Sequence, residues 1–308
     1  MRYLFLFALF LTSLLAQDLP TLGGYFSSVY EKSKTRERFT IDDFALLLYT
    51  QHTTTDFLAE FEAKDLYFKQ QEPATMERCD IQFNIERLFI RHYLDASQTL
   101  QIGKFNTPVG FWNIIPINPL RDTISVVNLS LAYFPKLLTG IMYKKEQSDS
   151  SFLIALQENP GIDDGYNNFK VDRHYLVSLT LSNSNITHKY SLGYYETKDD
   201  TASWYGAYAF QMEQAKTRIT FESVIRREKT ETTYDLYLSS LYRFYPKWAA
   251  AFRIENFRAH YNRLLYNDTT TTTTLIHRPH PNVALKAEFN YFFQTRNPQW
   301  LLSISFMF

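Results

Sequence analysis

The 308-residue sequence holds one cysteine, nine glycines and no surplus of either charge, with 32 basic side chains against 32 acidic ones. Past its first sixteen residues it has no apolar run of helix length. Each scarcity excludes something. A lone Cys79 has no intrachain partner, so a disulfide scaffold is out. No basic excess exists to neutralise phosphates, so nucleic acid is not expected as a partner. The mean hydropathy is −0.29, and one apolar segment alone cannot make a bundle of spanning helices. Disorder is excluded by what is abundant. The chain is 45% hydrophobic and 17% aromatic, with 26 Phe and 22 Tyr, enough apolar surface to bury a core or meet lipid. A neutral chain rich in aromatic and β-branched residues points to an all-β protein. With so few glycines, its turns have to use Asn, Asp, Ser and Pro.

Met1-Arg2 opens the chain with a positive charge, and Tyr3 to Leu15 is apolar. Ser13-Leu14-Leu15-Ala16 places small residues where a signal peptidase reads. Residues 1–16 therefore read as a secretory signal peptide and 17–308 as the mature domain. The alternative is an uncleaved anchor, but the run is short of the roughly 20 apolar residues a span requires. Removing Arg2 leaves 31 basic residues against 32 acidic.

Downstream the hydrophobic period is two, not 3.6. Trp300, Leu302, Ile304, Phe306 and Phe308 alternate with Leu301, Ser303, Ser305 and Met307. Val283, Leu285, Ala287, Phe289, Tyr291 and Phe293 oppose a face carrying Lys286, Glu288 and Asn290. Trp248, Ala250, Phe252 and Ile254 oppose Ala251, Arg253 and Glu255; Phe57, Ala59, Phe61 and Ala63 oppose Glu60, Glu62 and Lys64. A soluble sandwich alternates too, but its strands run to about 5 or 6 residues. Several here are longer, and their apolar faces end in aromatics such as Trp248, Trp300, Phe244 and Phe308. Aromatic girdles around an apolar band, with charges on the other face, describe a transmembrane antiparallel β-barrel in a bacterial outer membrane.

Sixteen strands are expected: 22–31, 42–50, 56–69, 79–94, 98–106, 137–146, 150–158, 173–182, 187–196, 202–210, 216–227, 232–244, 248–260, 270–278, 283–294 and 300–308. Discounting the weakly patterned first and fourteenth would leave fourteen. Connections after even strands are short, as at 245–247; the long gaps 32–41, 70–78, 107–136 and 159–172 all follow odd strands. One barrel rim with short turns and one with long loops is the outer-membrane pattern. Residues 107–136, after strand five, are too apolar for an exposed loop. Burial in the lumen is the sharper reading; packing over the rim or against a second subunit is the other.

Ile102-Gly103-Lys104-Phe105-Asn106-Thr107-Pro108-Val109-Gly110 resembles the strand-to-loop stretch of the phosphate-selective porin O/P family and its porin-like relatives. The stretch Arg278 to Phe289 resembles the last periplasmic turn and penultimate strand of the same family. Together they cover about a tenth of the chain. The resemblance implies a sixteen-stranded passive channel for small hydrophilic solutes or ions, often a homotrimer, with no cofactor. The alternative is a barrel plugged by its loop, with a structural or surface-interaction role. Lipid surrounds such a barrel, and a C-terminal aromatic, here Phe308, is what barrel assembly machinery would engage.

Phosphate selectivity does not carry over with the resemblance. Inward basic candidates are Arg218, Arg226, Arg243, Arg253 and Lys286. Inward acidic ones are Glu60, Glu62, Glu86, Glu222, Asp235, Glu255 and Glu288. A ring of one sign selects the other sign, and this wall is mixed. The loop adds Arg121, Asp122 and Lys136 as constriction candidates. Opposite charges on adjacent strands would equally well pair across the ladder and stiffen the wall.

No motif for an enzyme is present. There is no zinc-protease pattern, nucleophile elbow or phosphate-binding loop. His174, His188 and Ser182 sit on β segments without a marked partner. Gly161 to Asn168 offers calcium-like oxygens without the closing Glu of a binding loop, so it reads as a solvated outer loop. The run Thr269 to Thr274 reads as the start of strand fourteen and Cys79 as a lone thiol.

Overall fold

In the computed structural model, which describes residues 20–308 except 73, 116, 200, 230, 262 and 263, a single sheet of seventeen strands closes on itself. The expected signal peptide lies outside the described residues. All pairings are antiparallel between chain neighbours, and β1 (Thr21–Ser33) closes the ring on β17 (Asn297–Met307). Two segments, β4 (Met76–Arg78) and β5 (Gln82–Tyr93), lie end to end along β3 (Thr55–Glu72). They make one stave, so the barrel has sixteen. The first and fourteenth expected strands are both present, the latter as β15 (Leu264–His280).

Alternation places the side chains as expected. On β17, Leu301, Ser303 and Ser305 are buried inside, while Leu302, Ile304 and Phe306 are exposed outward to lipid. On β16 (Val283–Phe292), Ala284, Lys286, Glu288 and Asn290 point inward. Trp248, at a strand start, and Trp300, the fourth residue of β17, are exposed. Phe308 continues the β1–β17 ladder through reciprocal backbone bonds with Gly24, each 3.0 Å.

Two expected gaps are corrected. Residues 32–41 and 70–78 are mostly strand, with only 34–36 and 73–75 between elements. There β1 meets β2 (Glu37–His52) through Lys32–Glu37, 3.0 Å, and an Arg38–Glu31 pair. A stave that rises past the lipid band is wet on both faces, so it loses the period-two signal by which strands are recognised. The connections after even staves stay at two to four residues, while 107–136 and 159–170 remain long.

The lumen is not simply polar. Tyr195, Tyr205 and Tyr237, on β10 (Ile186–Thr197), β11 (Ala202–Gln214) and β13 (Glu231–Tyr245), point inward. They pack with Val109, Val127, Leu129, Tyr133 and Phe134 of loop 107–136. Much of the aromatic content is expected on lipid-facing positions and at strand ends; these form an internal core instead, because an apolar loop inside a barrel needs an apolar wall against it.

Candidate functional site

Loop 107–136 leaves the wall after β6 (Gln98–Asn106), runs through the lumen and returns at β7 (Leu137–Glu146). Its two ends are tied together. Thr107 donates its amide to Lys136 O (2.9 Å), and Asn113 Nδ2 donates to Thr107 O (2.7 Å) and Lys136 O (3.1 Å). Both glycines of the family-like stretch have positive φ, Gly103 at 131° and Gly110 at 64°. A Cβ at Gly103 would strike the Leu88 carbonyl, and one at Gly110 would strike the Glu222 carboxylate. Only glycine fits both the dihedral and the space.

A peptide inside a barrel must satisfy its N–H and C=O groups or lose several kcal/mol for each. Here the wall charges do it, sorted by sign. Carboxylates accept loop amides: Glu222 from Trp112 (2.9 Å), Glu255 from Asn128 (2.7 Å), Glu288 from Ile124 (2.6 Å) and Ser125 (2.9 Å). Cations donate to loop carbonyls: Lys189 to Gly110 (2.9 Å), Lys286 to Asn118 (2.5 Å), Arg226 to Ala132 (2.9 Å), Arg253 to Ser125 (3.2 Å). The Trp112 ring lies 5.6 Å from both the Arg121 and Arg253 guanidinium carbons. Charge-assisted bonds contribute about 1.5–3 kcal/mol each. Glu288→Ala therefore exposes two amides at once, and roughly 3 kcal/mol is a hundredfold in local opening. Hydrogen exchange at Ile124 and Ser125 should accelerate by about that factor while the β16 ladder keeps its protection. Equal rates in the variant and the parent would show the anchoring is not carried by Glu288.

The residues singled out from the sequence fall into groups. Glu222, Arg226, Arg253, Glu255, Lys286 and Glu288 lie inside and are buried against the loop. Arg218 pairs with Asp122 of the loop. Lys136 pairs with Glu86 at 2.9 Å. Glu60 pairs with Arg87 along the wall, and Arg243 with Glu213 at 3.2 Å. Asp235 is buried near Glu255. Arg121 and Asp122 come together in a slit of about 40 Å³ with Arg218 and Trp112. Lys136 instead lines a chamber of about 190 Å³ toward the long-loop rim, with Arg121, Asp42, Asp43, Glu62 and Lys64. A third chamber, about 580 Å³, lies toward the short-turn rim under Pro108, Phe111 and Ile114. Asp42, Asp43, Lys64, Arg87, Arg91 and Lys189 were missed as site residues. Lys64 shares the alternation of its neighbours and could have been read from it, whereas Arg87 follows the inward Glu86 across a bulge that shifts the phase. Asp42 and Asp43 could not, because a bulge between Ile41 and Asp43 breaks the phase.

Loop 159–170 has no buried residue, as expected of an outer loop, but it does more than face solvent. The last β5–β6 pair is Leu88↔Lys104. Beyond it the β5 edge has no strand beside it, because the chain has turned inward. Ile85 there donates its amide to Asp163 Oδ2 (2.7 Å) and accepts at its carbonyl from Lys104 Nζ (2.6 Å). Asn167 and Asn168 take the amides of Leu137 and Lys136, and Asp164 pairs with Lys198. The calcium-like oxygens are thus spent on peptide groups and an ion pair. Tyr166 enters a cage of Lys64, Lys104 and Lys136, 4.6, 5.2 and 5.5 Å from its ring, and donates to Glu62. Burial, then the Glu86 and Glu62 carboxylates, push its phenol well above the usual value, so it stays a donor.

His174, His188 and Ser182 each have a separate partner. His174 Nε2 lies 2.8 Å from the Tyr205 hydroxyl inside the wall, His188 Nδ1 is 3.0 Å from Tyr208, and Ser182 faces Thr187. Cys79 is exposed and donates its thiol to Leu66 O.

No protein-family model matches this sequence. No curated protein matches it either. Solved structures do. An OmpF from Salmonella typhi in complex with daunomycin aligns at a TM-score of 0.69 and 10% identity, over 94% of this chain and 97% of that one. An anion-selective porin from Comamonas acidovorans aligns at 0.66 and 8%, over 94% and 99%. The trimer form of OmpT, an outer membrane protein of Vibrio cholerae, aligns at 0.64 and 8%, also over 94% and 99%. At such identities the likeness is one of fold: the chain is a closed sixteen-stave antiparallel barrel of the porin type.

Proposed function

We infer that this chain is a bacterial outer-membrane channel that passes small hydrophilic solutes or ions by diffusion. One observation carries the reading. Within a closed wall, loop 107–136 narrows the lumen to a slit but leaves chambers lined by charged side chains on both sides. Arg121, Asp122 and Arg218 form the constriction in this reading, and Lys136 belongs to the chamber on the long-loop side. The phosphate-selective subtype draws no support from the family-like stretch, whose glycines answer to the backbone entering the lumen. A homotrimer, a lipid-embedded belt and recognition of Phe308 by barrel assembly machinery complete the proposal.

The test is conductance of refolded protein in planar bilayers under a KCl gradient. Ohmic steps with a small reversal potential are expected from a wall of both signs. Folded barrels without conductance would favour the second reading, a plug, which the apolar contacts between the loop and Tyr195, Tyr205 and Tyr237 support.

A further inference from the structure

The 580 Å³ chamber under the loop is lined by the inward faces of six consecutive strands, β5 to β10, with β8 at Ser150–Glu158 and β9 at Val171–Asn183. Four cations line it: Arg87, Arg91, Lys144 and Lys189. One carboxylate, Glu146, shares the lining and pairs with Lys144. The other counter-charges stand behind the cations. Glu60, the partner of Arg87, is fully buried, and Asp56, 4.0 Å from Arg91, is nearly so. A solute in the chamber therefore meets the Arg87 and Arg91 guanidinium groups, with Glu146 as the one carboxylate in the lining, while Lys189 is held by the Gly110 carbonyl.

Between the cations the wall is mixed: Phe89, Phe105, Phe111, Met142 and Leu153 give it an apolar part, and neutral polar side chains such as Gln101, Ser178 and Thr180 the rest. Arg87, Phe89 and Arg91 occupy alternate positions of β5, so an aromatic ring sits between two guanidinium groups at a spacing of about 7 Å. The Arg91 guanidinium lies 5.4 Å from the Phe89 ring. The chamber volume is within the usual range for small-molecule sites. Inorganic phosphate would lose hydration here and gain nothing from the rings. An anion with an apolar body uses both features.

We propose that this chamber is a binding subsite for small organic anions bearing one carboxylate or sulfonate on an aromatic or aliphatic body. That the bound anion is in transit rests on the channel reading; the binding itself does not. Calorimetric titration of the folded barrel in detergent with potassium benzoate tests it, with potassium phosphate and benzyl alcohol as comparisons. Benzoate should give saturable heat. Arg91→Gln should weaken it about tenfold, as expected for one charge-assisted contact, and Arg91→Lys should restore most of it. Benzyl alcohol binding equally well would overturn the role of the cations. Phosphate binding equally well would overturn the role of the rings, and no saturable benzoate heat would overturn the subsite. In bilayers, benzoate should reduce the KCl current over the same concentration range. A barrel that binds benzoate but never conducts would defeat the channel reading and leave the subsite standing.

Discussion

Deleting residues 111–134 should raise conductance severalfold without dissolving the barrel. Asn106 and Leu137 are already paired across β6 and β7, so the six remaining loop residues bridge a short gap. Every stave keeps its two neighbours, and the ladder holds the wall. What disappears is the slit, together with the packing of Val127, Leu129, Tyr133 and Phe134 against the wall tyrosines. A sixteen-stranded barrel without its inner loop leaves an aqueous channel. Glu222, Glu255 and Glu288 would then face water alongside Lys189, Arg226, Arg253 and Lys286. The reversal potential should therefore change as well as the amplitude. If the intact protein is a plug, the same deletion takes it from closed to open. Equal conductance before and after would place the loop outside the conducting path and refute both the constriction and the plug.

Gly110→Val should undock the same loop while leaving it in place. The left-handed backbone costs about 1–2 kcal/mol for a residue with a Cβ. The new side chain also displaces Glu222 from the Trp112 amide and the Tyr237 hydroxyl, at about 1.5–3 kcal/mol per charged bond. The sum, roughly 4 kcal/mol or more, exceeds what one anchor supplies. Currents should become noisy with sub-states, and protease should cut between 111 and 134. Gly165→Ala is the control, because no atom lies within 4 Å of a Cβ there; it should stay within ~0.5 kcal/mol of the parent. A quiet, protease-resistant Gly110→Val channel would mean that the loop is held by other contacts.

Much of this was legible residue by residue. Side chains alternate with an exact period of two, so Trp300 to Phe308 declare their faces without any partner being known. The apolar character of 107–136 foretold burial. What the charged wall residues do was not legible. Glu288 and Ile124 are 164 positions apart, Glu222 and Trp112 are 110 apart, and no local pattern links them. Closure of the barrel brings β12 (Thr217–Glu228), β14 (Trp248–Tyr261) and β16 against one side of a loop leaving β6. The same charges that suggest a wet, selective wall thereby become anchors for peptide groups.

The scarcity of glycine illustrates the division. Several short turns use Asn, Asp, Ser or Pro, as at 147–149, 184–185 and 281–282, while 53–54 is Thr-Thr and 215–216 is Ala-Lys. Where the remaining glycines matter is a tertiary matter. Gly103 and Gly110 are required by the dihedrals that carry the chain from wall to lumen and by the Leu88 carbonyl and Glu222 carboxylate waiting there. Strand identity, facing and stave number follow from short-range alternation, because a strand's pattern is written along itself. The path of the inner loop, the pairing of each charge and the shape of the chambers were decided only by closure, because they depend on which distant side chains the ring sets opposite one another.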